Sequence, residues 1–350
     1  YDMDSSVVTY RKLFDIPMEK PDKIFYKMAM RKVGVDSVSE FLKDIQPKDK
    51  LYWLFYEKLK HTHSKPQRIK ILCNMERCRW RLKDYPYMHD KYVLVNIPSF
   101  RLRAVDSKKD LEMRIGCGSF DTKTPLLTSA IMRMDINPQW IVPRSIIKKS
   151  IIPHLGNRSY FESHNFFVRE RSTGKKISFD KVTSEMLNSS DYLVVQTGGI
   201  GNSLGRIIFR FNNSFSVFIH DTNQHGVFSQ EDRGVSHGCI RVQKPFSLAM
   251  FMLKDKNEDT ISKIRYSMVA QIGGESTVMN DEKHEGNSKL KTDTLNHSRI
   301  INNINVNPKV PLFITYFTLY PDFEGNIKSY SDVYGYDRVI FSILKNYLGH

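Results

Sequence analysis

Two short apolar runs with reactive side chains at their ends constrain this chain more than any other feature. Ser216-Val217-Phe218-Ile219 leads into His220-Asp221-Thr222, and Ser236-His237-Gly238-Cys239 leads into Ile240-Arg241-Val242. Apolar residues in these runs predict two strands. Paired, they bring a histidine beside a cysteine, with the polar segment 222–235 as a loop over both. This suits thiol chemistry. A free thiol has a pKa of about 8.5 and is mostly protonated at neutral pH, so a neighbouring imidazole is needed to take the proton. Arg241 lies two residues beyond Cys239 and shares its face on a strand, where it can fix the loop or bind a substrate carboxylate. Gly238 lets the backbone pass close to a substrate, and the amides around Gly238 and Cys239 are candidate oxyanion donors. Two other readings of the same residues stay open at this point. One is a zinc site of His220, His237 and Cys239, without the Cys-x-x-Cys or His-Glu-x-x-His that would strengthen it. The other is a structural thiol with two satisfied histidines.

The rest of the composition narrows the function class. The chain has 350 residues, 40% apolar and 12% aromatic, enough for more than one domain with real cores. No run of about 18 apolar residues occurs, so no membrane span or anchor is visible. The opening Tyr-Asp-Met-Asp has no basic-then-apolar leader, which leaves export open. The four cysteines, Cys73, Cys78, Cys117 and Cys239, lack the spacing of a disulfide scaffold. The net charge of +15 is spread along the chain. It reads as a solvated surface, not a nucleic-acid interface, although a basic enzyme is drawn to anionic polymers.

Along the chain, residues 1–88 read as a helical scaffold. Ser37-Val38-Ser39-Glu40 predicts a capping box, Asp49 a second cap, and Ser64 with Pro66 a third helix start. Leu51, Leu54, Phe55 and Leu59 are expected on one face of the second helix. From residue 89 a β-rich domain begins, with strands over 92–97, 100–105 and 111–115. Residues 143–195 read as an insertion, opening with a helix from Pro143 to Pro153. Gly198 to Gly205 is glycine-rich, but no Lys-Ser/Thr pair or helix follows it, so a tight turn is expected and not a nucleotide cradle. Helices are expected at 245–253 and 258–267, a flexible polar insert at 271–303, and a strand at 310–318.

The longer motif, His220-Asp221-Thr222 followed by Ser236-His237-Gly238-Cys239-Ile240-Arg241-Val242 and Pro245, resembles the signature of the L,D-transpeptidase (YkuD-type) catalytic domain. Asn74-Met75-Glu76-Arg77 with Trp80, Asn137-Pro138-Gln139-Trp140-Ile141-Val142-Pro143, Asn202-Ser203-Leu204-Gly205-Arg206 and Asp332-Val333-Tyr334-Gly335 are similar to elements of its large Gram-negative branch. Gly198, where that branch has proline, and Phe218, where it often has tyrosine, depart from the pattern. The resemblance implies an α+β fold: a β-rich, sandwich-like mixed-sheet catalytic domain over 89–350 with the helical scaffold before it and 143–195 as a substrate-capping insertion. It implies Cys239 as nucleophile and His220 as base. His237, Gly238, Ser236 and Asp221 would shape the oxyanion region, Asp221 also orienting the imidazole through its backbone carbonyl. Arg241, Trp140, Phe218 and Asn202 would bind substrate. Neither a metal nor a cofactor is implied. The implied partners are peptidoglycan stem peptides, with carbapenems as covalent inhibitors, in the cell envelope, in the Gram-negative periplasm. The implied reaction releases D-alanine and forms a three-to-three cross-link. Hydrolysis or D-amino-acid exchange at the same site is the alternative within the class, and a non-catalytic peptidoglycan-binding protein the alternative outside it.

Overall fold

A computed structural model of the chain describes residues 14–15, 19, 21–107, 110–254, 257–270, 296–322 and 324–348. Most of the expected polar insert, 271–295, lies outside the described residues. Four helices come first: α1 (Lys23–Gly34), α2 (Val38–Asp44), α3 (Lys50–Lys60) and α4 (Lys65–Cys78). Asp49 caps α3, its carboxylate accepting the Leu51 amide at 2.9 Å. The capping box at Ser37 does not form. Ser37 sits at φ −106°, ψ 30°, outside the extended conformation a capping side chain needs; its hydroxyl donates to the Val35 carbonyl, and Glu40 pairs with Lys32. Leu51, Tyr52 and Phe55 of α3 pack against Ile71, Met75 and Cys78 of α4, and Leu319 joins them from far along the chain. Leu54 is instead 48% exposed, because the buried stripe runs through position 52 and not 54.

Strand alternation builds the next layer. β2 (Lys91–Asn96), β3 (Arg101–Asp106) and β4 (Leu111–Gly118) form an antiparallel meander. Adding β5 (Leu126–Ile136), β10 (Ile207–Phe211), β11 (Ile219–His220), β13 (Ile240–Val242) and β14 (Asn303–Thr315) gives the order β5-β10-β11-β13-β4-β3-β2-β14. β14 then pairs with β5 as well, so the two faces are joined at both edges and the ring closes. β1 (Phe14–Asp15) and β12 (Gly234–Ser236) add to β5 and β4 outside this ring. Val95, Leu102, Ile115, Ile131, Phe209 and Ile314 fill the interior. A ring with no open edge leaves few unpaired backbone groups and holds its strands in register.

Two additions flank the ring. β6 (Trp140–Ile141), β7 (Phe166–Glu170), β8 (Lys176–Ile177) and β9 (Tyr192–Gln196) form a separate sheet, ordered β6-β9-β7-β8. It has its own core, in which Val142, Ile147, Phe161, Val168, Leu187 and Val194 meet. The expected helix after Pro143 is helical to His154, but passes through α, π and 3₁₀ turns in succession. Helices α5 (Pro245–Met252) and α6 (Glu258–Val269) follow β13. The hairpin of β15 (Leu319–Pro321) and β16 (Ile327–Ser329) packs on α3 and α4, and α7 (Tyr336–Leu344) closes the described chain against α4. Among the described residues no helix is long and apolar enough to cross a membrane.

Candidate active site

β11 and β13 lie side by side and parallel, with Ile219 opposite Ile240 and His220 opposite Arg241. Val217, Ile219, Ile240 and Val242 belong to the ring's buried core. By the period of two, the alternate residues Phe218, His220, Cys239 and Arg241 project from the other face. The site is therefore on the outside of the ring. Opposite His220 on the other side, β10 contributes Ile208. Arg210, on the same face of that strand, lies over the Phe218 ring, 4.9 Å from its centre. The Phe218 and His220 rings meet edge to face with centroids 5.5 Å apart.

An outward-facing histidine is expected to be wet, yet His220 is only 4% exposed. The turn 202–206 roofs it. Gly205 sits in the left-handed region at φ +65°, and a Cβ there would come 2.4 Å from the Asp221 carboxyl carbon, so glycine alone lets the turn approach. The Asp221 carboxylate accepts the Arg206 amide at 2.8 Å and ties the roof down. The Asp221 side chain thus serves the turn. The Asn202 amide donates to the carbonyls of Pro138 and Thr197, and its oxygen accepts the Leu204 amide. Asn202 holds the roof.

Electrostatics set the resting state. Burial pushes the His220 pKa down to about 4, and the Arg241 guanidinium adds to the fall; the backbone at Asp221 and Leu204 opposes it. His220 Nδ1 makes no hydrogen bond among the described residues. Burial likewise pushes the Cys239 thiol up, against the pull of the Phe218 amide and of Arg210 and Arg241. Both shifts favour the uncharged forms. Arg241 donates to Gln224 at 2.8 Å, and its Nε is buried without a partner among the described residues.

The turn before Cys239 is held at several points. The Ser236 hydroxyl donates to the Cys239 carbonyl at 2.6 Å and accepts the Gly238 amide at 3.1 Å. Gly238 takes φ +110°, which favours glycine. Ser236 is thus a brace within the turn. Its bond also engages the Gly238 amide, one of the two candidate oxyanion donors. The Cys239 amide makes no hydrogen bond among the described residues and stays available. His237 is exposed and borders a cleft of about 440 Å³ with Phe120, Lys123, Phe215, Val217 and Gly238. Trp140 is half-buried and packs against the core of the separate sheet. Among the described residues no three His, Cys, Asp or Glu side chains converge as a metal site. Sequence reasoning missed Thr124, which lies behind the turn; its only signal was a polar run before Pro125 between two strands.

The chain thus combines a closed mixed sheet, an adjoining helical region, and a roofed histidine whose neighbouring parallel strand is entered just after a cysteine. Residues 90–259 match the family profile described as the L,D-transpeptidase catalytic domain, YkuD. The chain is 24% identical to a Haemophilus influenzae protein described provisionally as an L,D-transpeptidase, over 94% of this chain and 63% of that protein. The chain thus spans less than two thirds of that relative's length. A Mycobacterium smegmatis L,D-transpeptidase structure is 14% identical with a TM-score of 0.27, covering 46% of this chain and 53% of the other. Mycobacterium tuberculosis L,D-transpeptidase 1 is 16% identical with a TM-score of 0.21, covering 46% and 55%.

Proposed function

We propose that this chain is a cysteine-dependent peptidoglycan L,D-transpeptidase of the cell envelope, working in the periplasm of a Gram-negative bacterium. The observation that carries the reading is the parallel pairing of the strand ending in His220 with the strand that begins just after Cys239, within the matched segment. The Cys239 proton passes to His220 as the sulfur attacks the acyl carbon of a tetrapeptide stem. The oxyanion meets the Cys239 amide. Collapse breaks the bond to the terminal D-alanine, whose amine leaves with the proton from His220. An amine of a neighbouring stem then attacks the thioester, gives a proton to His220, and restores the thiol as the new amide forms. Water or a free D-amino acid as acceptor would give the hydrolytic or exchange reaction by the same steps. His237 and the cleft beside it form one wall of the site, and the separate sheet with its helices caps the substrate.

Carbapenems test the nucleophile. Attack on the lactam carbonyl forms a carbon–sulfur bond, breaks the ring carbon–nitrogen bond and leaves the proton on that nitrogen. Intact mass should show one adduct, absent from Cys239→Ala. An adduct that survives in that variant would refute the assignment. Product analysis with tetrapeptide stems then separates cross-linking from hydrolysis.

A further inference from the structure

The turn before Cys239 is braced internally by Ser236, and from behind by residues with no part in the reaction as derived above. Thr124 is fully buried. Its hydroxyl donates to the Gly238 carbonyl at 2.8 Å and accepts the Gly118 amide at 2.8 Å. Its own amide donates to the Tyr334 hydroxyl at 3.1 Å, and that hydroxyl donates to the Gly118 carbonyl at 2.7 Å. Thr124 and Tyr334 therefore close a ring of hydrogen bonds around the end of β4. Behind them, the Tyr334 amide donates to the Tyr316 hydroxyl at 2.8 Å, and the Tyr316 hydroxyl donates to Asp332 at 2.6 Å. The other Asp332 oxygen accepts the Asp337 amide at 3.0 Å in the first turn of α7. Tyr316 and Tyr334 are 2% and 3% exposed, so water does not compete for these bonds.

The geometry of one peptide plane connects this buried chain to chemistry. The Gly238 carbonyl and the Cys239 amide belong to the same planar trans peptide, so they point in opposite directions. Pulling the carbonyl toward Thr124 aims the amide away from Thr124. That amide is an unengaged donor of the turn, whereas the Gly238 amide is held by Ser236. Without the Thr124 hydroxyl, the peptide is free to rotate about its flanking bonds, and Gly238 offers little steric resistance.

We propose that Thr124 is a positioning residue for the oxyanion step: it fixes the Cys239 amide through the Gly238 carbonyl, with Tyr334 holding Thr124 in place. This rests on the acyl-transfer reading above. It makes a specific separation between two reactions of the same sulfur. Acylation by a carbapenem develops an oxyanion and needs the aimed amide. Alkylation by iodoacetamide displaces iodide at a saturated carbon and needs none.

The experiment measures both rates on the full chain for the parent, Thr124→Val, Thr124→Ser and Tyr334→Phe. Valine keeps the shape of threonine and loses the hydroxyl; serine keeps the hydroxyl. Loss of one oxyanion donor costs about 10²–10³ in rate, and a misaimed donor is a fraction of that loss. Thr124→Val should lower the maximal acylation rate about 10- to 100-fold, with the half-saturating carbapenem concentration and the alkylation rate each within about twofold. Thr124→Ser should acylate within about threefold of the parent, and Tyr334→Phe should fall between the two. Parent-like acylation by Thr124→Val overturns the proposal, as does an equal fall in acylation and alkylation, or failure of Thr124→Ser to restore the rate. If Thr124→Val fails to fold, Tyr334→Phe carries the same comparison. A parent that alkylates at Cys239 but never acylates would overturn the acyl-transfer reading and this proposal with it.

Discussion

His220 should remain neutral in the folded protein far below the pH at which free histidine takes up a proton. The unfolded chain has an imidazole pKa of about 6.5. In the fold it is pushed down to about 4 by burial and by Arg241. A folded value below the unfolded one means that the unfolded chain binds the extra proton first. Stability from this group is therefore complete above about pH 6.5 and is lost as the pH falls toward and through the folded value near 4. The gap of about 2.5 pKa units, at about 1.4 kcal/mol each, makes the full effect about 3 kcal/mol. His220 is almost fully buried, so solvent screening removes little of it. Two measurements check this. Nuclear magnetic resonance of the imidazole carbons, with His220→Asn for assignment, should show one ring still neutral at about pH 5.5, where ordinary histidines are largely protonated. Denaturant unfolding from about pH 7 to 4 should cost the parent about 3 kcal/mol more than His220→Asn. A His220 midpoint at or above about 6, or parallel pH–stability curves for the two proteins, would refute the reasoning.

Arg77 is 2.6 Å from Asp337 in a buried pair joining α4 to α7, so Arg77→Met strands a carboxylate and should cost about 3–5 kcal/mol by denaturant unfolding. Gly238→Ala puts a side chain on a residue at φ +110° with Val217 at 3.4 Å; carbapenem acylation should fall at least about 10-fold, read by intact mass over time. The alkylation rate of Cys239 should still be climbing at about pH 8.5, because burial holds the thiol above its ordinary range; a plateau near pH 7 would contradict that. Phe55→Ala empties a fully buried position between α3 and α4 and should cost about 3–5 kcal/mol in the same unfolding assay.

Much of this protein was legible in order along the chain. The apolar runs around His220 and Cys239 announced two strands, and a period of two placed Cys239 with Arg241 because alternation is a property of the extended backbone itself. The meander from 92 to 115 and the helices after Pro245 were readable for the same local reason. The Asp49 cap was also legible, whereas the Ser37 box failed because Ser37 does not take the extended backbone that a capping side chain needs.

Sequence alone determined the chemical groups and their faces: a thiol, an imidazole, a guanidinium, and a glycine where the chain must turn. Tertiary structure decided what those groups are worth. Whether His220 is wet depends on a turn some fifteen residues earlier, held by Asp221 and admitted by Gly205. Whether the Gly238 or the Cys239 amide is free depends on Ser236 and on Thr124. Asn202 and Trp140 carry side chains suited to binding, and three hydrogen bonds and a separate core also use them for the fold. Burial and hydrogen-bond partnership come from distant parts of the chain meeting in space, and no local pattern encodes them.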